Sequence, residues 1–316
     1  MSFQPPLSSR AFVIGTAEQV AVPPGLGVRR AEAPPEDPVI RGPGLPGALA
    51  RGLAIAALVM LPALVMPGIP PETAHLVVLL ALFAATLTAY EHASPYPGLL
   101  EFRVGAPYNR TRYLLVGICG LLLALLQRHG TDPGPLTGAV AGLAAACGQL
   151  FAAAPSPVAL LVAALPESVD AAQRALVRDG AALVFFLGAA VLLAFAVAIW
   201  LGAWPRGKRP FNVWVNLPTF EPTAGHDVVS RLRRLSVLNL TAGLALPFLL
   251  PGVIVASTIL MQPVSLTSPL GYVWGIVLWA YFPVAVIMRG MAMRRVARLI
   301  EQRRARMDPA AIDPAS

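Results

Sequence analysis

Residues 180–203 read GAALVFFLGAAVLLAFAVAIWLGA, with no charged side chain anywhere in the run. At about 1.5 Å per residue a helix of that length reaches ~36 Å, more than the ~30 Å hydrocarbon core of a bilayer. A polar island, Trp204 to Val237, follows, and then a second apolar run from Leu235 to Met261. The island carries Arg206, Lys208, Arg209, Arg231, Arg233 and Arg234. Two spans joined by a basic loop place that loop in the cytoplasm, because cationic loops stay on the cytoplasmic side during insertion.

The totals agree with a lipid solvent. Of the 316 residues 56% are hydrophobic and only 13% are charged, against roughly 25% charged for a soluble domain. The net charge of +8 is nearly all arginine, Lys208 being the sole lysine. These arginines flank apolar runs and are not interleaved with aromatics, which argues against nucleic acid as a partner and for the anionic lipids of the inner leaflet. Cys119 and Cys147 lie inside apolar stretches, without metal-ligand spacing, and read as small buried hydrophobes.

Residues 1–47 form the first segment, a proline-rich tail expected to be disordered and cytoplasmic, with no cleavable-leader layout. Residues 48–288 form the transmembrane region. Within it Ala48–Gly68 and Ala74–Tyr90 make a helical hairpin around a tight turn at Ile69–Thr73. A first polar island, Ala93–Arg112, carries Arg103, Arg110 and Arg112. The apolar run Tyr113–Leu126 follows. Leu136–Ala154 is apolar but small, and Gly138 and Gly142 give it a small-residue face suited to close helix packing. Pro155-Ser156-Pro157 breaks that stretch, and Val158–Leu165 is too short to cross. Pro166–Asp179 is amphipathic, with Ser168 as the expected helix cap, and should continue into the 180–203 span. Leu235–Met261 is kinked by Pro247 and Pro251. Pro269–Met288 is the last span. Residues 289–316 are read as a basic amphipathic cytoplasmic helix and tail, in which Arg294, Arg295 and Arg298 hold to anionic headgroups while Ala292, Val296, Leu299 and Ile300 face the other way.

The charge count then fixes topology. The tail, Arg51, the two islands and the C-terminal segment hold 21 of the 24 basic residues. If all of them are cytoplasmic, both termini are inside and the chain between the islands crosses an even number of times. Residues 136–165 must then form a re-entrant or paired short hairpin that makes no net crossing. The fold is an all-α polytopic bundle of six full spans plus that hairpin; seven spans with the N-terminus outside is the alternative.

Searching for chemistry returns little. His75 and His92 sit at opposite ends of one helix, ~26 Å apart, and no mid-membrane histidine joins them. His226, Asp227 and Ser230 lack an elbow or oxyanion motif and are better explained by helix capping. No phosphate loop or zinc motif occurs. No catalytic residue, cofactor or metal is therefore assigned, and the chain is read as a non-enzyme. The islands end alike, Asn109–Val116 and Ser230–Val237 sharing the pattern [NS]-R-x-R-x-L-x-V; this is either an internal duplication or what any helix entering lipid from a basic loop looks like. Ala11–Gly15, Leu100–Val104 and Phe211–Leu217 have strand-like composition and could pair into a small sheet or drape on headgroups. The centres of the spans lack Asp, Glu, Lys, Arg and His, which disfavours an ion-coupled carrier. The expectation is an assembly or scaffold component of a bacterial inner membrane, acting through helix packing and a basic face on another membrane protein or a second copy. A transporter or channel subunit for an uncharged or passively moved solute is the alternative.

Overall fold

The computed structural model describes residues 44–94, 98–103, 105–151, 156–205, 216–217, 220, 227–260, 266 and 268–307. Within them the chain forms eight helices: α1 (Leu45–Val65), α2 (Pro71–Ala93), α3 (Tyr108–His129), α4 (Pro135–Leu150), α5 (Pro157–Ala163), α6 (Ala171–Trp200), α7 (Val228–Leu260) and α8 (Pro269–Met307). No strand occurs among the described residues. Six helices, all but α4 and α5, are long and apolar enough to cross a membrane. The chain is an all-α polytopic helical protein. The 1–43 tail, the strand-like segment Ala11–Gly15 and most of Phe211–Leu217 lie outside the described residues, as do Arg206, Lys208 and Arg209.

Side-chain contacts set the direction of each helix. Arg128 near the end of α3 donates to the Val65 carbonyl at the end of α1, 3.4 Å away, so α1 and α3 run parallel. A Cβ at Gly180 of α6 would meet Leu123 of α3 and the Tyr272 hydroxyl of α8. At the other end Phe195 of α6 packs on Tyr108 at the start of α3. Hence α6 is antiparallel to α3 and, with Val284 against Gly188, parallel to α8. Arg233 pairs with Glu301 and Arg304 with Asp227, which lays α7 antiparallel on α8. The starts of α1, α3 and α7 and the ends of α2, α6 and α8 therefore share one end of the bundle, the arginine-rich end. Helix α8 is the hub and packs against α1, α3, α6 and α7.

Residues 135–165 enter and leave from the far end. Thr137 in the first turn of α4 contacts His129 at the end of α3, 3.1 Å apart. Fourteen residues on, the Phe151 ring meets Phe185 and Phe186 at 5.3 and 5.0 Å, halfway down α6. Ser156 closes the tip: its hydroxyl accepts the Ala159 N–H and donates to the Phe151 carbonyl. Helix α5 then climbs back, and Arg174 in the first turn of α6 donates to the carbonyls of Pro166 and Val169. This is a re-entrant hairpin with its tip near mid-depth, and it accounts for the even number of crossings that the charge pattern requires.

Three local expectations change. The cap of α6 is Asp170, whose carboxylate accepts the Gln173 N–H at 2.7 Å, not Ser168. Of Leu100–Val104 the described residues, 100–103, turn instead of extending: Phe102 takes φ 51° and is only 1% exposed. The islands do touch there, Phe102 N–H donating to Asn216 O at 2.7 Å, but no strand forms among the described residues. Finally, the last span and the basic helix are one uninterrupted helix of 39 residues. Its Ala292, Met293, Val296 and Ala297 are buried within the protein. The apolar side of this helix is thus used for packing within the protein, with Arg294 and Arg298 exposed on the other side.

Close approach between helices occurs at glycines other than those singled out from sequence. A Cβ at Gly142 would meet nothing within 4 Å, and one at Gly138 only the His129 ring at 3.7 Å. By contrast Gly52 places α1 2.6 Å (Cβ position to oxygen) from the Ala85 carbonyl of α2, and at Gly243 and Gly290 the backbones of α7 and α8 come within 3.0 and 2.9 Å of the corresponding Cβ positions. In lipid such contacts are the main source of helix–helix attraction, because apolar burial against a neighbour gains little over burial against acyl chains.

Candidate functional site: a lateral cleft rimmed by arginine

Helices α6 and α7 both lie on α8 and α5, yet among the described residues their backbones do not come close to each other. The gap between them is a cleft with α8 as its floor, and two cavities of ≈ 320 Å³ each occupy it. The inner cavity is walled by Phe185, Gly188 and Leu192 of α6 and by Gly243, Leu244 and Pro247 of α7. Pro157, at the tip of the re-entrant hairpin, closes it at mid-depth. The outer cavity is lined by Ala196, Ile199, Trp200, Leu240 and Met291, and its rim carries Arg294, Arg295 and Arg298.

The two cavities follow one another along the same three helices. Leu192 and Ala196, Gly243 and Leu240, and Ile287 and Met291 are each about one helical turn apart, the first of each pair lining the inner cavity and the second the outer. The cleft thus holds two successive apolar cavities along α8, the inner one ending at Pro157 and the outer one cationic at the arginine-rich end.

The inner wall depends on proline chemistry. Pro251 has no N–H to give the Pro247 carbonyl one turn earlier, which leaves an acceptor exposed in an apolar setting. The indole of Trp279, 3% exposed, donates to it at 3.3 Å. Phe185 stacks beside the same indole at 6.2 Å, so the hairpin tip, α6, α7 and α8 are tied together at one level.

The outer rim is braced by the loops of the arginine-rich end. Phe102, Tyr108, Phe195 and Trp204 form a buried aromatic cluster, and the Trp204 indole donates to Gly105 O at 2.9 Å. Arg295 Nε reaches the Trp204 carbonyl at 3.3 Å, which fixes the stem of that arginine. Arg289, farther inside, donates to both oxygens of the Glu101 carboxylate in three hydrogen bonds of 2.7–3.0 Å and joins the first island to α8. Arg304 holds the Asp227 carboxyl below its ordinary pKa, chiefly by donating a hydrogen bond to it.

The chain matches no known protein family, curated protein or solved structure.

Of the residues singled out from sequence, the structure gathers Arg294, Arg295 and Arg298 at the cleft rim. It places Arg231, Arg233 and Arg234 in the first turns of α7, with Arg231 over the Phe220 ring at 4.8 Å and Arg233 on Glu301. Asp227 accepts the Ser230 N–H and so caps α7, which explains that pair as helix-end chemistry. Gly138 and Gly142 lie in the hairpin, away from the cleft. Among the described residues no group of histidine, cysteine and carboxylate side chains could hold a metal. What the cleft offers is binding: an apolar slot with a fixed cationic mouth. Of its apolar half only the helix-breaking Pro157 and Pro247 stood out in the sequence, because Gly188 and Gly243 read as ordinary parts of separate apolar runs.

Proposed function

We propose that the protein is a non-catalytic component of a membrane assembly, held in a bacterial inner membrane with its arginine-rich end and both termini in the cytoplasm, and that it works by packing against another membrane protein or a second copy. The observation that carries this reading is the isolation of α2. That helix touches α1 and no other helix among the described residues, and its only buried residues are Ala81 and Glu91. Leu76, Leu79 and Phe83 are each about two-thirds exposed, at 65%, 66% and 65%. Helix association in lipid rests on close packing and hydrogen bonds, so a span with one neighbour presents nearly its whole circumference for further contact. The orientation rests on the arginine excess at one end.

A transport role has one structural feature in its favour, the re-entrant hairpin whose tip faces the blunt end of the cleft. Broken helices near the midplane are where carriers build their sites. The cleft, however, is walled by apolar side chains there, and no ionisable group lines its inner half.

Gentle detergent extraction of the native protein, followed by purification and mass spectrometry, separates the two. A stoichiometric membrane partner, or a homo-oligomer without flux activity, that photo-crosslinks from position 83 of α2 is expected. A solitary chain that moves solute across liposomes would overturn the assembly reading.

A further inference from the structure

The cleft between α6 and α7 pairs apolar walls with a cationic rim, which is the inverse of a phospholipid with an anionic headgroup. We propose that it is a specific site for one such lipid, taken from the leaflet at the arginine-rich end, with the phosphate held by Arg294, Arg295 and Arg298 and an acyl chain laid along α8 toward Pro157. This inference stands independently of the assembly reading.

Charge comes first. Arg294 and Arg298 are one turn apart on α8, where like charges repel, and Arg295 lies between them. Neither Arg294 nor Arg298 has a carboxylate partner among the described residues, whereas Arg289 and Arg304 of the same helix are paired to Glu101 and Asp227. Arg295 is anchored through Nε on the Trp204 carbonyl, which keeps its terminal nitrogens at the rim. Three guanidinium groups around one opening suit a phosphate, which accepts charge-assisted hydrogen bonds from several donors at once.

Length and shape agree with a chain. From Arg294 to Ala280, α8 rises about 21 Å, enough to accommodate the acyl chain of one leaflet, whose share of the hydrocarbon core is about 15 Å. Over that distance the walls are aliphatic or aromatic, and each cavity, at ≈ 320 Å³, lies at the small end of the usual range for ligand pockets, about 300–1,000 Å³. Trp200, 83% exposed at the mouth, sits where an indole favours the headgroup level. A free phosphate would use only the rim and leave the slot unfilled.

Full-length protein purified in a neutral detergent is titrated with phosphatidylglycerol and with phosphatidylcholine of the same chains, and bound lipid is counted by native mass spectrometry. One phosphatidylglycerol per chain is expected, preferred over phosphatidylcholine by roughly ten-fold or more, since each basic contact is worth on the order of 1 kcal/mol. The pair R294Q and R298Q together should remove most of that preference. The control pair R234Q and R303Q takes away the same charge outside the cleft and should leave it unchanged. Ala189→Phe, at an exposed position of the inner wall, should weaken both lipids alike while the protein remains folded. Equal binding of the two lipids would overturn the proposal, as would equal losses in both arginine pairs, which mean diffuse attraction to headgroups. So would displacement of the lipid by millimolar inorganic phosphate or glycerol phosphate, or a dimer that A189F dissociates, which would make the occupant a second copy.

Discussion

Replacing Gly290 by leucine is expected to prevent α7 and α8 from packing, and with them most of the folded protein. A Cβ at this position would stand 2.9 Å from the Ser236 carbonyl and 3.1 Å from the Leu240 nitrogen, both backbone atoms that cannot rotate away. The same contact is held by the Ser236 hydroxyl donating to the Gly290 carbonyl at 2.8 Å. Overpacking a well-filled interior costs about 1–3 kcal/mol even for added methylenes that side chains can partly accommodate. Here the obstacle is main chain on both sides, so the leucine variant should lose at least ~3 kcal/mol, a large part of a typical 5–15 kcal/mol stability. Gly290→Ala should fall between the two. Ser236→Ala should cost only about 0.5–1.5 kcal/mol, the net worth of one hydrogen bond. Thermal unfolding in detergent orders the three. A leucine variant that unfolds at the wild-type temperature would show that α7 and α8 are not in this register.

The second large effect is at Trp279, and it can be dissected. Trp279→Ala removes a buried indole and should cost about 3–5 kcal/mol. Trp279→Phe keeps most of the volume but leaves the Pro247 carbonyl without its donor, a penalty of about 1–3 kcal/mol for an unsatisfied buried acceptor. The proline account makes a sharper claim. Pro251→Ala restores an N–H that can bond the Pro247 carbonyl within α7, so the cost of Trp279→Phe should shrink in that background. A double-mutant cycle measured by unfolding reads the coupling directly. If the phenylalanine costs the same whether position 251 holds proline or alanine, the indole is there for packing alone.

The spans were legible because their signal is local. A run such as 180–203 can satisfy its backbone in lipid only as a helix, so length and hydropathy decide it without reference to the rest of the chain. The parity of crossings was legible too, since basic loops sort to one side. The depth of the hairpin tip was not, because it depends on Phe151 finding Phe185 and Phe186, a contact between segments over thirty residues apart. Small-residue spacing is a partial guide within the chain for a related reason. It marks where a helix could be approached closely, and Gly138 and Gly142 satisfy the pattern, yet it is Gly52, Gly243 and Gly290 whose faces meet backbone. Phe102 shows the limit of composition. LEFRV looks like a strand, but a buried aromatic cluster and the Asn216 carbonyl hold its phenylalanine at a positive φ.

The cleft lies at the far end of this scale. Each of its walls is an ordinary apolar helix, and it exists because, among the described residues, the backbones of α6 and α7 stay apart across the face of α8. Its rim left a trace in the sequence, as arginines on a helix whose remaining faces are apolar, and so did Pro157 and Pro247, as breaks in apolar runs.

All of this rests on the hairpin at 135–165 entering and leaving by one end, because that places α6, α7 and α8 in their directions and both ends of the bundle's chain on the same side. Single cysteines at Thr131, before the hairpin, and Ser168, after it, test this when compared with Gly44 and Gln302, in protein whose Cys119 and Cys147 have been replaced. An impermeant thiol reagent applied to sealed membranes should label positions 131 and 168 from the same side, and positions 44 and 302 only from the other. Labelling of 131 and 168 from opposite sides would contradict the fold and, with it, the cleft.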